Sequence, residues 1–275
     1  MQIVLTIIKI CFWLFFLWIL LLTGRRWHPM WPEFQKYRYA HRGLHAEGAP
    51  ENSIRAFERA VEKGYGAELD VHLMKDGTLA IVHDSDLERV TGKKLIIEEL
   101  TLEDLEDLRL MGTDQRIPLF DQVLEIFEEK APLIIELKTY KNNHKELVKA
   151  VLAKLDDYRG DFCVESFDYR AVALVRKMRP TICRGQLSQD FIKNPAQGVG
   201  FVPRFLATNL LTNIIAAPDF VAYRFEDRKI FANTLCCRVW RVHQVSWTIR
   251  SMEDLLTAEK EGSIPIFENF EPGTK

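Results

Sequence analysis

From residue 37 onward, short apolar runs alternate with amphipathic stretches, and this alternation most narrows what the chain can fold into. The apolar, β-branched runs predict strands near 37–42, 67–72, 133–138, 162–167, 182–187, 219–224, 244–248 and 264–268. Apolar residues at helical spacing predict helices over 53–63, 143–158, 169–178, 203–216, 227–237 and 251–261. Eight strands with helices between them, over about 240 residues, fit an α/β fold of the TIM (β/α)8 barrel type. The connection after the second strand breaks the pattern. It holds an Asp-Gly hairpin and then a charged stretch, about 84–118, with a short helix near 102–110; both read as a small insertion above the barrel mouth.

Four strings place chemistry on this frame: AHRG at 40–43, AELDVHLMKDG at 67–77, AIVHD at 80–84 and IIELK at 134–138. Glu68 and Asp70 are two apart on a strand, so they share a face. Two carboxylates on one face repel unless a cation sits between them, and a hard divalent ion bound by oxygen is the natural partner. The Asp76-Gly77 turn, read as a two-residue loop, pairs Lys75 with Thr78 and sets His83 opposite Asp70; a bulge would shift this by one residue. Glu136 and Lys138 again share a face, and Glu136 lies inside an apolar run, where a carboxylate needs Lys138 or a metal. His41 ends the first strand, and Arg42 behind it offers a planar fork for phosphate oxygens. Asn52 or Ser53 caps the next helix, and Glu51 either favours that helix N-terminus or faces the site. At other strand ends stand Ser166, Asp168, Gln186, Tyr223, Glu226, Trp247 and Glu268, with Trp247 a stacking wall or a core residue.

The N-terminus is different in kind. Residues 3–22 contain one charge, Lys9, and at 1.5 Å per residue reach about 30 Å, enough to cross a bilayer core. Leu-Leu-Thr-Gly-Arg-Arg is a poor cleavage site, so the segment reads as a membrane anchor rather than a signal peptide. Arg25, Arg26, Lys36 and Arg38 follow it, which by the positive-inside rule puts the rest of the chain in the cytosol as a single-pass protein. The expected division is an anchor at 1–24, a juxtamembrane linker at 25–36 and a barrel at 37–275. Near-neutral balance, net charge −2 over 275 residues, gives no case for nucleic acid as a partner. Five cysteines without metal-type spacing point to no disulfide framework. The segment 194–218 carries Arg204 as its one charge, with Phe201, Val202, Phe205 and Leu206 at helical spacing. It reads as an outer helix packed on the barrel, the other reading being a greasy surface facing the bilayer.

The strings HRG, PENSIRAF, ELDV, KDG, VHD, LERVTG, RIPLF, IELK, ESFD and WT, in this order over roughly residues 37–250, resemble the glycerophosphodiester phosphodiesterase family. The resemblance implies a TIM barrel with a small insertion after VHD, and metal-dependent hydrolysis of glycerophosphodiesters to glycerol 3-phosphate and an alcohol. It implies His41 and His83 as the acid/base pair, and Glu68, Asp70 and Glu136 as ligands of Mg²⁺ or Ca²⁺. It also implies Arg42 and Lys138 at the phosphate, Trp247 as a substrate wall and Glu51 as a site-lining residue. The last strand departs from the family: IPIFENF stands where a Thr-Asp string is usual, which leaves that strand without an implied role. The anchor makes lysophospholipids, cleaved as by a lysophospholipase D, the alternative substrate. A non-catalytic membrane-tethered barrel would be expected to lose a histidine or a ligand, and this chain has all of them.

Overall fold

The computed structural model describes residues 2–22, 24–25, 27–195 and 198–275. Nine strands form: β1 (Tyr39–Ala40), β2 (Gly66–Leu73), β3 (Leu79–Ile81), β4 (Leu133–Leu137), β5 (Phe162–Ser166), β6 (Cys183–Ser188), β7 (Phe220–Arg224), β8 (His243–Ile249) and β9 (Ile264–Phe267). Eight of them pair in parallel in the order β1-β9-β8-β7-β6-β5-β4-β2, and β1 pairs with β2 to close the ring. This is the TIM barrel expected from the alternation, and β3 is the antiparallel arm of the hairpin.

Alternation along each strand sorts the side chains into two cores. Tyr39, Ile134, Cys163, Cys183, Phe220, Val245 and Ile264 fill the barrel interior, and Trp31 and Phe34, from the turn at Trp31–Phe34, pack with them. Ala67, Leu69, Val71, Leu133, Ile135 and Val164 face outward against the surrounding helices. Two glycines make this interior possible. A β-carbon on Gly66 would lie 2.7 Å from the Tyr39 ring, and one on Gly185 would lie 2.1 Å from the Phe220 ring. The same inward face carries Glu68 level with Ile134 and, two residues further along, Asp70, Glu136 and Glu165 in register.

The hairpin differs from its expected register. Met74 N–H donates to Thr78, Gly77 N–H donates to Met74, and Gly77 has φ +91. This is a three-residue loop with a left-handed glycine rather than a two-residue turn. Val71 therefore pairs with Ile81, and His72 with Ala80, one residue off the expected pairing. The helix at Phe120–Phe127 was not anticipated; Phe120, Val123, Leu124 and Phe127 bury its apolar face, but at eight residues its pattern merged with the preceding loop. Residues 84–118 enclose a separate apolar cluster with Leu87, Val90, Ile97, Leu105 and Leu108.

The helix Gln2–Leu21 is long and apolar enough to cross a membrane. Its foot meets the barrel wall where Leu22 packs with Leu210, Val221 and Cys236. Arg25 pairs with Asp219 at 3.0 Å, Lys36 with Glu33 and Arg38 with Glu259, while Arg26 lies outside the described residues. The segment after β6 forms two short helices, Phe201–Thr208 and Asn213–Ala216, rather than one over 203–216. Its expected packing on the barrel holds for Leu210 and Ala216, which are buried, and in part for Leu211. Phe201, Val202, Phe205, Leu206, Ile214 and Ile215 are exposed, because Thr208 and Asn213 instead take the inward positions.

Candidate active site

The parallel register gathers the carboxylates. Asp70 pairs with Glu136 across β2 and β4, and Glu136 with Glu165 across β4 and β5. Ligand oxygens of Glu68, Asp70 and Glu136 lie within 4.8 Å of one another, all three residues buried. Burial, with Asp70 and Glu136 beside it, pushes Glu68 well above the usual carboxylate range. Burial also raises Glu136, against the pull of Lys138. Burial opposes ionisation of Asp70 too, but Lys138, His83 and Arg42 outweigh it and hold that group well below its usual range. Lys138 Nζ lies 3.2 Å from Asp70 and 3.1 Å from Glu136.

Three buried carboxylates aimed at one point are an all-oxygen donor set, which suits a hard divalent cation. Glu165 borders them; burial, then Glu136 and Asp70, raises its carboxyl well above the ordinary value, and its Oε2 is buried without a hydrogen-bond partner. That orphaned oxygen fits a site that a cation completes. A second group of potential ligands, His28, Cys183 and Asp219, has no such character. Arg25 at 3.0 Å and Arg184 at 3.5 Å already neutralise Asp219.

Around the carboxylates opens a cleft of about 560 Å³, lined by His41, Arg42, Glu51, Glu68, His83, Glu136 and Trp247 among others. Seven of the nine expected site residues therefore share one cleft. Asp70 lies buried beside it, and Lys138 lines an adjoining hollow with His83 and Glu136. His83 reaches the cleft despite the shifted register, because β3 ends at Ile81 and the chain leaves the ladder before His83.

Each histidine is held by a carboxylate at Nδ1. His41 Nδ1 lies 2.5 Å from Glu268, and His83 Nδ1 lies 2.6 Å from Asp84. Donation from Nδ1–H leaves Nε2 as the nitrogen with a lone pair. Burial lowers the His41 pKa, against the raising effect of Glu268. Burial works against ionisation of Glu268, but the His41 hydrogen bond and the Arg250 guanidinium outweigh it and hold the group at about 2. Arg42 sits at φ +56; its N–H donates to Glu68 at 3.1 Å and its guanidinium to Glu51 at 2.8 Å. Glu51 also accepts twice from Arg89, which donates in turn to Asp84. An ionic chain thus ties the Arg42 turn to the His83 support.

Three residues that sequence reasoning missed or left unassigned complete the site. Asn52 is not the helix cap; Ser53 is, accepting from Ala56 N–H. Asn52 is buried, and its amide donates to Asp70 at 2.8 Å. Glu268 comes from the last strand, the one whose sequence departs from the family. Glu165 follows the same alternation as Glu136 and was legible two residues beyond Cys163. The remaining strand-end candidates serve structure. Ser166 donates to Leu137, Asp168 pairs with Arg170, and Gln186 and Tyr223 bond backbone carbonyls. Glu226 pairs with Arg224 and Arg250 at the surface. Trp247 stands edge-on to Phe167 at 5.7 Å in the cleft wall.

Residues 41–269 match the model of the glycerophosphoryl diester phosphodiesterase family. A glycerophosphodiester phosphodiesterase of Caldanaerobacter subterraneus subsp. tengcongensis is 34% identical over 170 residues, covering 57% of this chain and 68% of that protein. A lysophospholipase D of Homo sapiens is 33% identical over 141 residues, 46% of this chain and 43% of that protein. Among solved structures, a phosphodiesterase of Oleispira antarctica in complex with sn-glycerol-3-phosphate superposes with a TM-score of 0.70 at 21% identity, over 86% of this chain and 94% of that one.

Proposed function

This chain belongs to the glycerophosphoryl diester phosphodiesterase family, and on that premise we propose that its barrel mouth hydrolyses glycerophosphodiesters to glycerol 3-phosphate and an alcohol by two-histidine, cation-assisted catalysis. The observation that carries this reading is the pairing of two carboxylate-held histidines with a buried triad of carboxylates in one cleft. Glu68, Asp70 and Glu136 would hold Mg²⁺ or Ca²⁺, whose contribution is Lewis-acid stabilisation of charge on the phosphate. Arg42 and Lys138 add fixed positive charge where the phosphate oxygens gain charge. One histidine takes a proton from the attacking water as its oxygen bonds phosphorus, and the other gives one to the alcohol oxygen as its bond to phosphorus breaks, each through Nε2. Glu268 and Asp84 each accept from Nδ1–H, which orients the rings and leaves Nε2 to accept the proton in one histidine and to give it in the other. Glu51 holds the Arg42 fork, and Trp247 walls the substrate side.

The N-terminal helix is proposed as a membrane anchor. The basic residues that follow it favour a cytosolic barrel. The apolar helix and the exposed apolar segment after β6 favour a second reading of the substrate, a lysophospholipid cleaved on the head-group side of its phosphate. The test is choline release by the purified full-length chain from glycerophosphocholine and lysophosphatidylcholine, assayed side by side. His41→Ala and His83→Ala are each expected to cost at least ~10²-fold in turnover. Near-normal turnover by either variant would sink the two-histidine mechanism.

A further inference from the structure

The helix Phe201–Thr208 is the least explained surface of the barrel. Phe201 is 60% exposed, Val202 64%, Phe205 41% and Leu206 37%, on an outer element that ordinarily buries such residues. Two observations locate this face. Its C-terminal end is fastened to the rim of the mouth: Ser188 at the end of β6 donates to the Ala207 carbonyl at 2.8 Å, and Tyr223 near the end of β7 donates to Thr208 at 3.0 Å. Immediately beyond it, Leu210 packs with Leu22, and Leu211 and Trp18 lie against the same cluster, so the apolar N-terminal helix leaves the barrel beside it. The exposed face is thus continuous with the foot of that helix on one side and with the cleft rim on the other.

An aromatic path joins the face to the cleft. Trp247 and Phe167 both line the cleft, with their rings 5.7 Å apart. Phe167 meets Phe191 edge-on at 5.9 Å, and Phe191 N–H donates to Thr208 Oγ1 at 3.0 Å. Charge agrees with an anionic surface. Residues 191–218 contain no Asp or Glu, and their two charges, Lys193 and Arg204, are both positive.

Resting on the phosphodiesterase reading above, we propose that the Phe201–Thr208 face lies in the head-group region of a bilayer and that the hydrocarbon of a lipid-borne phosphodiester enters the cleft from there, over Phe191 and Phe167. The barrel is then held at the membrane at two places, by the N-terminal helix and by this face. The second contact presents the mouth to the lipid and adds little to retention, which the helix already provides. Substrate presented in a bilayer depends on this face, and freely dissolved substrate does not.

The test uses the full chain in vesicles of phosphatidylcholine and phosphatidylglycerol. In the double variant Phe201→Asp, Val202→Asp, turnover of vesicle-embedded lysophosphatidylcholine is expected to fall at least tenfold, with turnover of dissolved glycerophosphocholine unchanged. The dissolved substrate also reports that the variant is folded. Equal rates with both substrates, before and after substitution, overturn the proposal. A wild-type chain that cleaves glycerophosphocholine but never the lysolipid overturns it as well; one that cleaves neither overturns the phosphodiesterase reading instead. A second measurement is independent of activity. With Val202 replaced by benzoylphenylalanine, illumination is expected to yield a phospholipid adduct, and the same replacement at Lys130, before β4, is expected to yield none. No adduct at 202, or equal adducts at both positions, overturns the docking.

Discussion

Asn52 is where a single side chain most directly links fold and site, and its removal can be divided into two parts. Its amide donates to the buried Asp70 carboxylate at 2.8 Å, and its own backbone sits at φ +55. Its N–H donates to the Arg42 carbonyl, so two left-handed residues brace each other across the cleft edge. Asn52→Gly removes the side-chain hydrogen bond to a charged group while tolerating the backbone, a loss of about 2 kcal/mol. Asn52→Ala removes the same bond and puts in the left-handed region a residue without the local tolerance that asparagine and glycine have for it, adding about 1 kcal/mol relative to glycine. For a chain of this size each kcal/mol lowers Tm by about 2–4 °C. Thermal unfolding of the full chain in nonionic detergent should therefore drop by about 4–8 °C for the glycine variant and about 6–12 °C for the alanine variant. A glycine variant as stable as wild type would refute the hydrogen-bond argument. An alanine variant no worse than glycine would refute the backbone argument.

Other outcomes follow from the same geometry. Glu268 is held at about 2, below an ordinary 4.5 and against burial, by its hydrogen bond to His41 and then by Arg250. Glu268→Gln should thus move the His41 limb of the kcat/KM profile to lower pH; an unmoved limb would break the assignment. Because the Glu268 pKa is depressed on folding, its contribution to stability is present above about pH 4.5 and lost as pH falls through about 2. Acid unfolding of the glutamine variant should lack that segment of the curve. Gly77→Ala meets nothing within 4 Å but must hold φ +91, so it should cost about 1 kcal/mol with turnover unchanged, as read from paired melting and activity curves.

The barrel was legible because eight strand segments and most helices each carry their own periodicity. Four features were not, each for its own reason. Hairpin register depends on whether an Asp-Gly turn closes over two residues or three, and both choices suit the same dipeptide. Asn52 and Ser53 are both good helix caps, and only the tertiary position of Asp70 decides which residue caps and which reaches the site. Glu268 supports a histidine 227 positions earlier in the chain, a contact that exists only because β9 closes against β1. The exposed face at Phe201–Thr208 was misread because helical spacing of apolar residues says that a face is apolar, and not what covers it.

The central claim is that the Glu68–Asp70–Glu136 triad works with a divalent cation on a phosphodiester. Its most direct test is release of glycerol 3-phosphate from glycerophosphocholine by the chelator-treated full-length chain, before and after Mg²⁺ or Ca²⁺ is restored. The account predicts that release stops on chelation, returns with the cation, and does not return in Glu136→Gln. Undiminished release after chelation, or full recovery by the glutamine variant, would contradict it.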